Sequence, residues 1–157
     1  MVDTLVLGLH SLTRWLLLAA IGWALVRGVV GWRRRAEVTD RDRRGVSVLV
    51  WLANLQLLLG LVLYVGISPW LPALRVDAKA AMKNEIVRFY AVEHPFTMLV
   101  ALGIVHVAAG GFRKASEARV AWRRLGVGVG VATVLVLAAI PWPFWWFGRP
   151  LVPFTSG

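Results

Sequence analysis

Four long apolar runs, separated by short segments that hold most of the charge, constrain this chain more than any other feature. They cover residues 4–30, 46–67, 92–112 and 125–140. A helix rises 1.5 Å per residue, so about 20 apolar residues cross the roughly 30 Å hydrocarbon core of a bilayer. Inside that core every backbone N–H and C=O needs a partner within the protein, and a helix supplies one locally. The runs therefore predict an all-α integral membrane four-helix bundle, up-down-up-down, forming one transmembrane domain over 1–157. Composition agrees: 59% of residues are apolar and mean hydropathy is +0.69, against about 45–50% apolar in soluble domains. The first run is too long for a signal-peptide core and lacks a small-residue cleavage site, so it is expected to remain as a helix.

The net charge of +10 and the pI near 11.6 do not point to nucleic acid, because the charges lie between apolar runs rather than along one face. They fix orientation instead. Six Arg/Lys follow the first run and five follow the third, against four between the second and third and Arg149 alone in the tail. The two heavier loops are expected on the cytoplasmic side. Both termini then lie outside, in the periplasm for a Gram-negative inner membrane. Nine tryptophans suit the headgroup level. Cysteine is absent, which excludes disulfides, thiolate-held clusters and covalent haem attachment.

Between helices 2 and 3, charged Asp77, Lys79, Lys83, Glu85 and Arg88 alternate with Val76, Ala80, Met82, Ile86 and Phe89. This pattern predicts an amphipathic interfacial helix over about 75–91. Pro95 falls in the first turn of helix 3, where it costs no hydrogen bond. Gly110 and Gly111 close helix 3, and Gly126, Gly128 and Gly130 open helix 4, with Gly126 and Gly130 spaced as GxxxG. Such residues let helix backbones approach closely in lipid.

Polar groups inside a span are costly and each needs a partner or a task. His10 lies five or six residues inside helix 1, and His94 opens helix 3. Their depths are expected to agree within a turn on the same side of the membrane. A haem could sit between two such imidazoles, each oriented by a hydrogen bond from its other nitrogen. Arg14 shares the His10 face at a spacing of four. It could pair with Glu93, or take a haem propionate. The ordinary alternative is that the histidines are satisfied polar residues and Arg14 snorkels outward. His106 lies twelve residues beyond His94, too far for the same iron. It could share depth with Asn54 and Gln56 in an inner polar patch; the ordinary alternative is a single helix–helix hydrogen bond. Met98 is read as core. Only His10, Glu93 and His94 could converge for a zinc or di-iron site, and such sites need more ligands. No Ser–His–acid pattern, phosphate loop or HExxH is present.

Several segments are similar to a known group. Leu9-His10-Ser11-Leu12-Thr13-Arg14-Trp15 resembles an LHSxxRW start. Asn54 to Gly60 with Tyr64 resembles a QLxLGxxLY second helix. Arg88-Phe89-Tyr90, Glu93-His94 and Met98 resemble an RFxxxEHxxxM third helix. Ile140 to Phe144, Arg149-Pro150 and Pro153-Phe154 resemble an IPWPF…RP…PF tail. Together these resemble small bacterial four-helix integral membrane proteins labelled cytochrome b-like. The resemblance implies His10, Arg14, Glu93 and His94 as functional residues, with His10 and His94 on the metal. In that group a histidine often stands where this chain has Asn54. A second site pairing it with His106 would be lost here, leaving at most one haem.

Two readings from different classes follow. The first is a membrane b-type haem protein transferring single electrons, with non-covalent haem b on His10 and His94 and a quinone as a further candidate partner near the Trp142 to Phe147 segment. The alternative is a cofactor-free accessory subunit of a larger respiratory or photosynthetic membrane complex. Partners are then the lipid bilayer, redox or complex subunits and, as an open alternative, further copies of the chain; nucleic acid is excluded. A transporter using Arg14, Glu93 and His94 ranks lower, because four helices leave little room for a cavity.

Overall fold

A computed structural model describes residues 2–146, 148 and 149. The described residues contain helices and turns and no strand. Helix α1 spans Val2–Arg34 and α2 spans Asp40–Val62, continued by a π-helical turn, Leu63–Ile67. Three short helices follow: α3 Trp70–Val76, α4 Ala78–Lys83 and α5 Glu85–Arg88. A second π-helical turn, Phe89–Glu93, leads into α6, His94–Lys114, and α7 is Ala118–Ala139. Four helical stretches, Val2–Arg34, Asp40–Ile67, Glu85–Lys114 and Ala118–Ala139, are long and apolar enough to cross a membrane.

The four long helices close a ring. Helix α1 packs on α2 and α7, and α6 packs on α7 and α2, so α1 and α6 face each other across a diagonal. The core runs through Leu17, Ile21 and Ala24 of α1, Val46, Leu49 and Ala53 of α2, Leu102, Val105 and Phe112 of α6, and Trp122, Leu125 and Val129 of α7. Outward positions are also apolar: Val107 is 77% exposed and Trp51 75%. A soluble bundle would carry polar residues there.

The helices outrun the apolar segments at the basic end. α1 continues to Arg34, α2 begins at Asp40 and α7 begins at Ala118 rather than near Leu125. Charged residues extend a helix past the hydrocarbon level as readily as apolar ones, so hydropathy marks the core width and not the helix end. The α1 stop is Arg35, with φ 50, and the Ala36 N–H reaching back to the Gly31 carbonyl at 3.0 Å. This is a Schellman-type end built without glycine. The α2 start is a capping box: the Asp42 N–H donates to Thr39 Oγ1 at 3.3 Å, and the Thr39 N–H donates to Asp42 Oδ2 at 3.0 Å. Asp42 Oδ1 also accepts from Arg27 Nε at 2.9 Å and Nη2 at 2.7 Å. Arg27 stacks over Trp122 at 5.2 Å, and Trp122 Nε1–H donates to the Ala36 carbonyl at 2.7 Å. One network thus ties the α1–α2 loop to α7.

The expected interfacial helix over 75–91 is not continuous. It breaks at Asp77 and Asn84, whose extended backbones cap the next pieces: Asp77 Oδ1 accepts the Ala80 N–H at 2.9 Å and Asn84 Oδ1 the Val87 N–H at 3.1 Å. Short polar side chains compete for backbone donors in this way, and amphipathic periodicity does not register it.

The glycine contacts also differ from GxxxG. A Cβ on Gly28 would lie 2.6 Å from Gly126 Cα, so α1 and α7 touch backbone to backbone. A Cβ on Gly128 would lie 2.5 Å from Ala108 Cβ, on the α6 side. Gly130 meets only Leu25 Cδ1, at 3.6 Å, and Gly110 faces open space. Two residues on a helix lie about 200° apart, so Gly126 and Gly128 serve two different neighbours.

Candidate functional site

The site lies between diagonal helices α1 and α6, at the end of the bundle away from the α1–α2 loop. His10 sits half-buried on α1. Gln56 of α2 reaches across to it. Its Nε2 donates to the His10 carbonyl at 3.2 Å and lies 3.2 Å from the ring Nε2 and 3.3 Å from Nδ1. An atom equidistant from both ring nitrogens sits over the imidazole face, because in the ring plane it would collide with Cε1. The amide therefore orients the ring and leaves its in-plane lone pair clear of Gln56. Thr13 supports this arrangement. Its hydroxyl contacts Gln56 Oε1 and donates to the Leu9 carbonyl at 2.9 Å. Gly60 flanks the ring; a Cβ there would lie 3.3 Å from His10 Cε1.

His94 is the first residue of α6. Its Nδ1 lies 2.7 Å from the Ala139 carbonyl of α7. A carbonyl only accepts, so Nδ1 carries the proton and donates it, and in the neutral ring Nε2 keeps a free lone pair. Ala139 is the last residue of α7, where carbonyls lack helical partners. One bond thus satisfies that helix end and fixes the tautomer of His94. The Phe89 ring lies 5.9 Å away, tilted by 43°. His10 is within electrostatic reach of His94, and Arg14 and Arg149 are within reach of both. The Arg14 guanidinium sits 5.5 Å from the Trp15 ring centre and that of Arg149 sits 4.9 Å over Tyr90.

Glu93 takes Arg88, not the expected Arg14, as its ion-pair partner, Nε to Oε1 at 2.7 Å. Arg88 Nη1 also donates to the Met82 carbonyl at 3.2 Å. Glu93 thereby braces the π-helical turn that delivers His94. The two π-helical turns are joined, since Tyr64 Oη donates to the Ala91 carbonyl at 2.9 Å. Met98 packs against the core.

The expected inner patch divides in two. His106 pairs with Asn54, Nε2 to the amide at 2.8 Å, and its Nδ1–H donates to the Leu102 carbonyl at 2.7 Å. The atom placed against Nε2 is Asn54 Oδ1; since a neutral ring with Nδ1 as its donor can only accept at Nε2, hydrogen-bond chemistry requires the Asn54 amide flipped to present its NH2 there. Gln56 belongs instead to His10. The spacing carried that signal, because residues two apart on a helix face different ways. Among the described residues no three His, Cys, Asp or Glu side chains converge on a point that could hold a metal ion. Phe147, Pro150, Pro153 and Phe154, which belong to the aromatic exit and the tail motif, lie outside the described residues, apart from which Trp142 donates Nε1–H to the Leu137 carbonyl at 2.8 Å. No protein-family model, curated protein or solved structure matches this chain.

Proposed function

We propose that this chain is a multi-pass protein of the bacterial plasma membrane that holds one b-type haem non-covalently between His10 and His94 and transfers single electrons. The bundle would run up-down-up-down with both termini outside. The observation that carries this reading is the His94 ring. Its Nδ1–H is committed to the Ala139 carbonyl at 2.7 Å, leaving Nε2 as a ligand nitrogen with its orientation fixed, the usual support of a metal-bound histidine. His10 supplies a second imidazole from the diagonal helix within electrostatic reach.

The donor set fits the group. Two neutral imidazoles suit haem iron, and Arg14 and Arg149, within reach of both rings, suit two propionates, since guanidinium matches carboxylate bidentately. Haem held there would supply a one-electron couple whose potential follows its ligand nitrogens and burial. The protein residues do the remaining work: Gln56 holds the His10 ring plane, Ala139 holds His94, and the Arg88–Glu93 pair braces the turn before it. A membrane quinone is the partner class that a site at this depth would meet. The resemblance to cytochrome b-like membrane proteins supports the same reading.

The test is the oxidised and dithionite-reduced visible spectrum of the detergent-purified chain, expressed with haem supplied. A sharp b-type α-band, lost in both His10→Ala and His94→Ala, is the expected result. A featureless spectrum from well-folded protein overturns it. The reading then favoured is a cofactor-free accessory subunit of a larger membrane complex. One observation speaks for that alternative: the Gln56 amide already covers one face of the His10 ring, and His94 Nδ1–H already donates to the Ala139 carbonyl. It expects co-purification with a large assembly.

A further inference from the structure

A groove of about 910 Å³ runs down the outer surface of the bundle between α6 and α7, far along the chain from the histidine pair. On α6 it is lined from Val100 through Gly103 and Val107 to Gly111, and on α7 by Val127 and Gly128. Its other lining residues include Arg123 and Arg124. The walls are apolar, and the only charged lining groups are these two adjacent arginines, both exposed. Glycine makes the trough: Gly103 has nothing within 4 Å of a Cβ position, and Gly111 leaves room for Arg124, whose Cδ would lie 3.1 Å from a Cβ there. Arg124 Nη1–H points back to the Gly111 carbonyl at 3.4 Å, which sets the guanidinium at the groove's end.

The dimensions and charge specify an occupant. Val100 to Gly111 advances about 16 Å along the helix axis, close to one leaflet of a roughly 30 Å hydrocarbon core. Arg123 and Arg124 belong to the basic segment that begins at Arg113, so the cations stand where that leaflet's phosphates would lie. Guanidinium binds phosphate oxygens bidentately. A second copy of the chain would have to bring apolar and acidic groups in matching order, and the acids of this chain are few, 8 in all.

We propose that this groove binds one anionic phospholipid of the leaflet next to the basic loops, its phosphate on Arg123 and Arg124 and one acyl chain along Val107, Gly103 and Val100. The site rests on the helices spanning a membrane and is independent of any haem.

The test is native mass spectrometry of the full chain in detergent, titrated with phosphatidylglycerol or phosphatidylcholine of matched tails. Basic residues near a membrane surface favour anionic lipid by roughly fivefold each, so a preference of about 25-fold for phosphatidylglycerol is expected. It should vanish in the Arg123→Gln/Arg124→Gln double variant. Gly103→Phe, which fills the trough, should lower retention of both lipids and keep the preference among what remains. Equal retention of both lipids by the unaltered chain, or a preference that survives the double variant, overturns the proposal. So does a two-chain species that Gly103→Phe dissociates, which would make the groove a dimer interface. Release of the chain from native membranes by alkaline carbonate would instead sink the membrane reading beneath it.

Discussion

Gln56 is the residue through which the sequence and the structure part most clearly. Read by depth alone it belongs with Asn54 and His106; in the fold its amide lies over the His10 ring and donates to the His10 carbonyl at 3.2 Å. Gln56→Leu keeps the volume and removes the amide, so the His10 ring loses its orienting contact. In a haem-loaded preparation the expected result is a broadened or shifted α-band with the fold retained, whereas Asn54→Leu should leave the band in place. An identical spectrum in both variants would count against Gln56 as a positioning residue. Arg35 makes a second prediction at this scale. A non-glycine residue in the left-handed region costs about 1 kcal/mol, and Arg35 holds φ 50 at the α1 end. Arg35→Gly should raise the unfolding free energy in detergent by about that amount.

At the scale of elements, helix ends and helix crossings carry the stability. Asp42 is buried, with its side chain 3% exposed, and it serves Thr39 and Arg27 together. Asp42→Ala leaves Arg27 facing the bundle without its carboxylate. Breaking such a pair costs about 3–5 kcal/mol when both groups are buried, and the lower end applies because Arg27 stays 35% open. Chemical unfolding of the purified protein would measure it. The crossing of α1 and α7 depends on Gly28 meeting Gly126. Gly28→Leu should destabilise by about 1–3 kcal/mol or more through overpacking. Gly22→Ala lies on the same helix with nothing within 4 Å of its Cβ position, and it should be neutral or stabilising by up to about 1 kcal/mol. Equal effects of the two changes would contradict the close α1–α7 approach.

At the scale of the whole molecule, orientation is the testable property. The chain has no cysteine, so single cysteines report topology without background. Introduced at Glu37 and Ser116, in the α1–α2 and α6–α7 loops, they should be labelled by a membrane-impermeant maleimide only after the cells are opened. Introduced at Asp3, near the start of α1, a cysteine should label on intact spheroplasts. The reverse pattern would invert the orientation drawn from the arginine-rich loops.

The four long helices and the placement of charge between the apolar runs were legible in the sequence, because apolar run length and Arg/Lys position are local properties of the chain. The type of residue at the candidate site was legible too, since a histidine inside an apolar run stands out wherever it points. What the sequence did not carry was azimuth: which helices are neighbours, and so which partner each polar side chain meets. Gln56 turns to His10 and Asn54 to His106, Gly126 meets Gly28 while Gly130 meets only a leucine methyl, and the Ala139 carbonyl fixes His94 from a helix 45 residues away in sequence. Those pairings depend on the ring order α1, α2, α6, α7. That order is set by long-range packing of small residues and by the Arg27–Asp42–Trp122 network, and no local pattern encodes it.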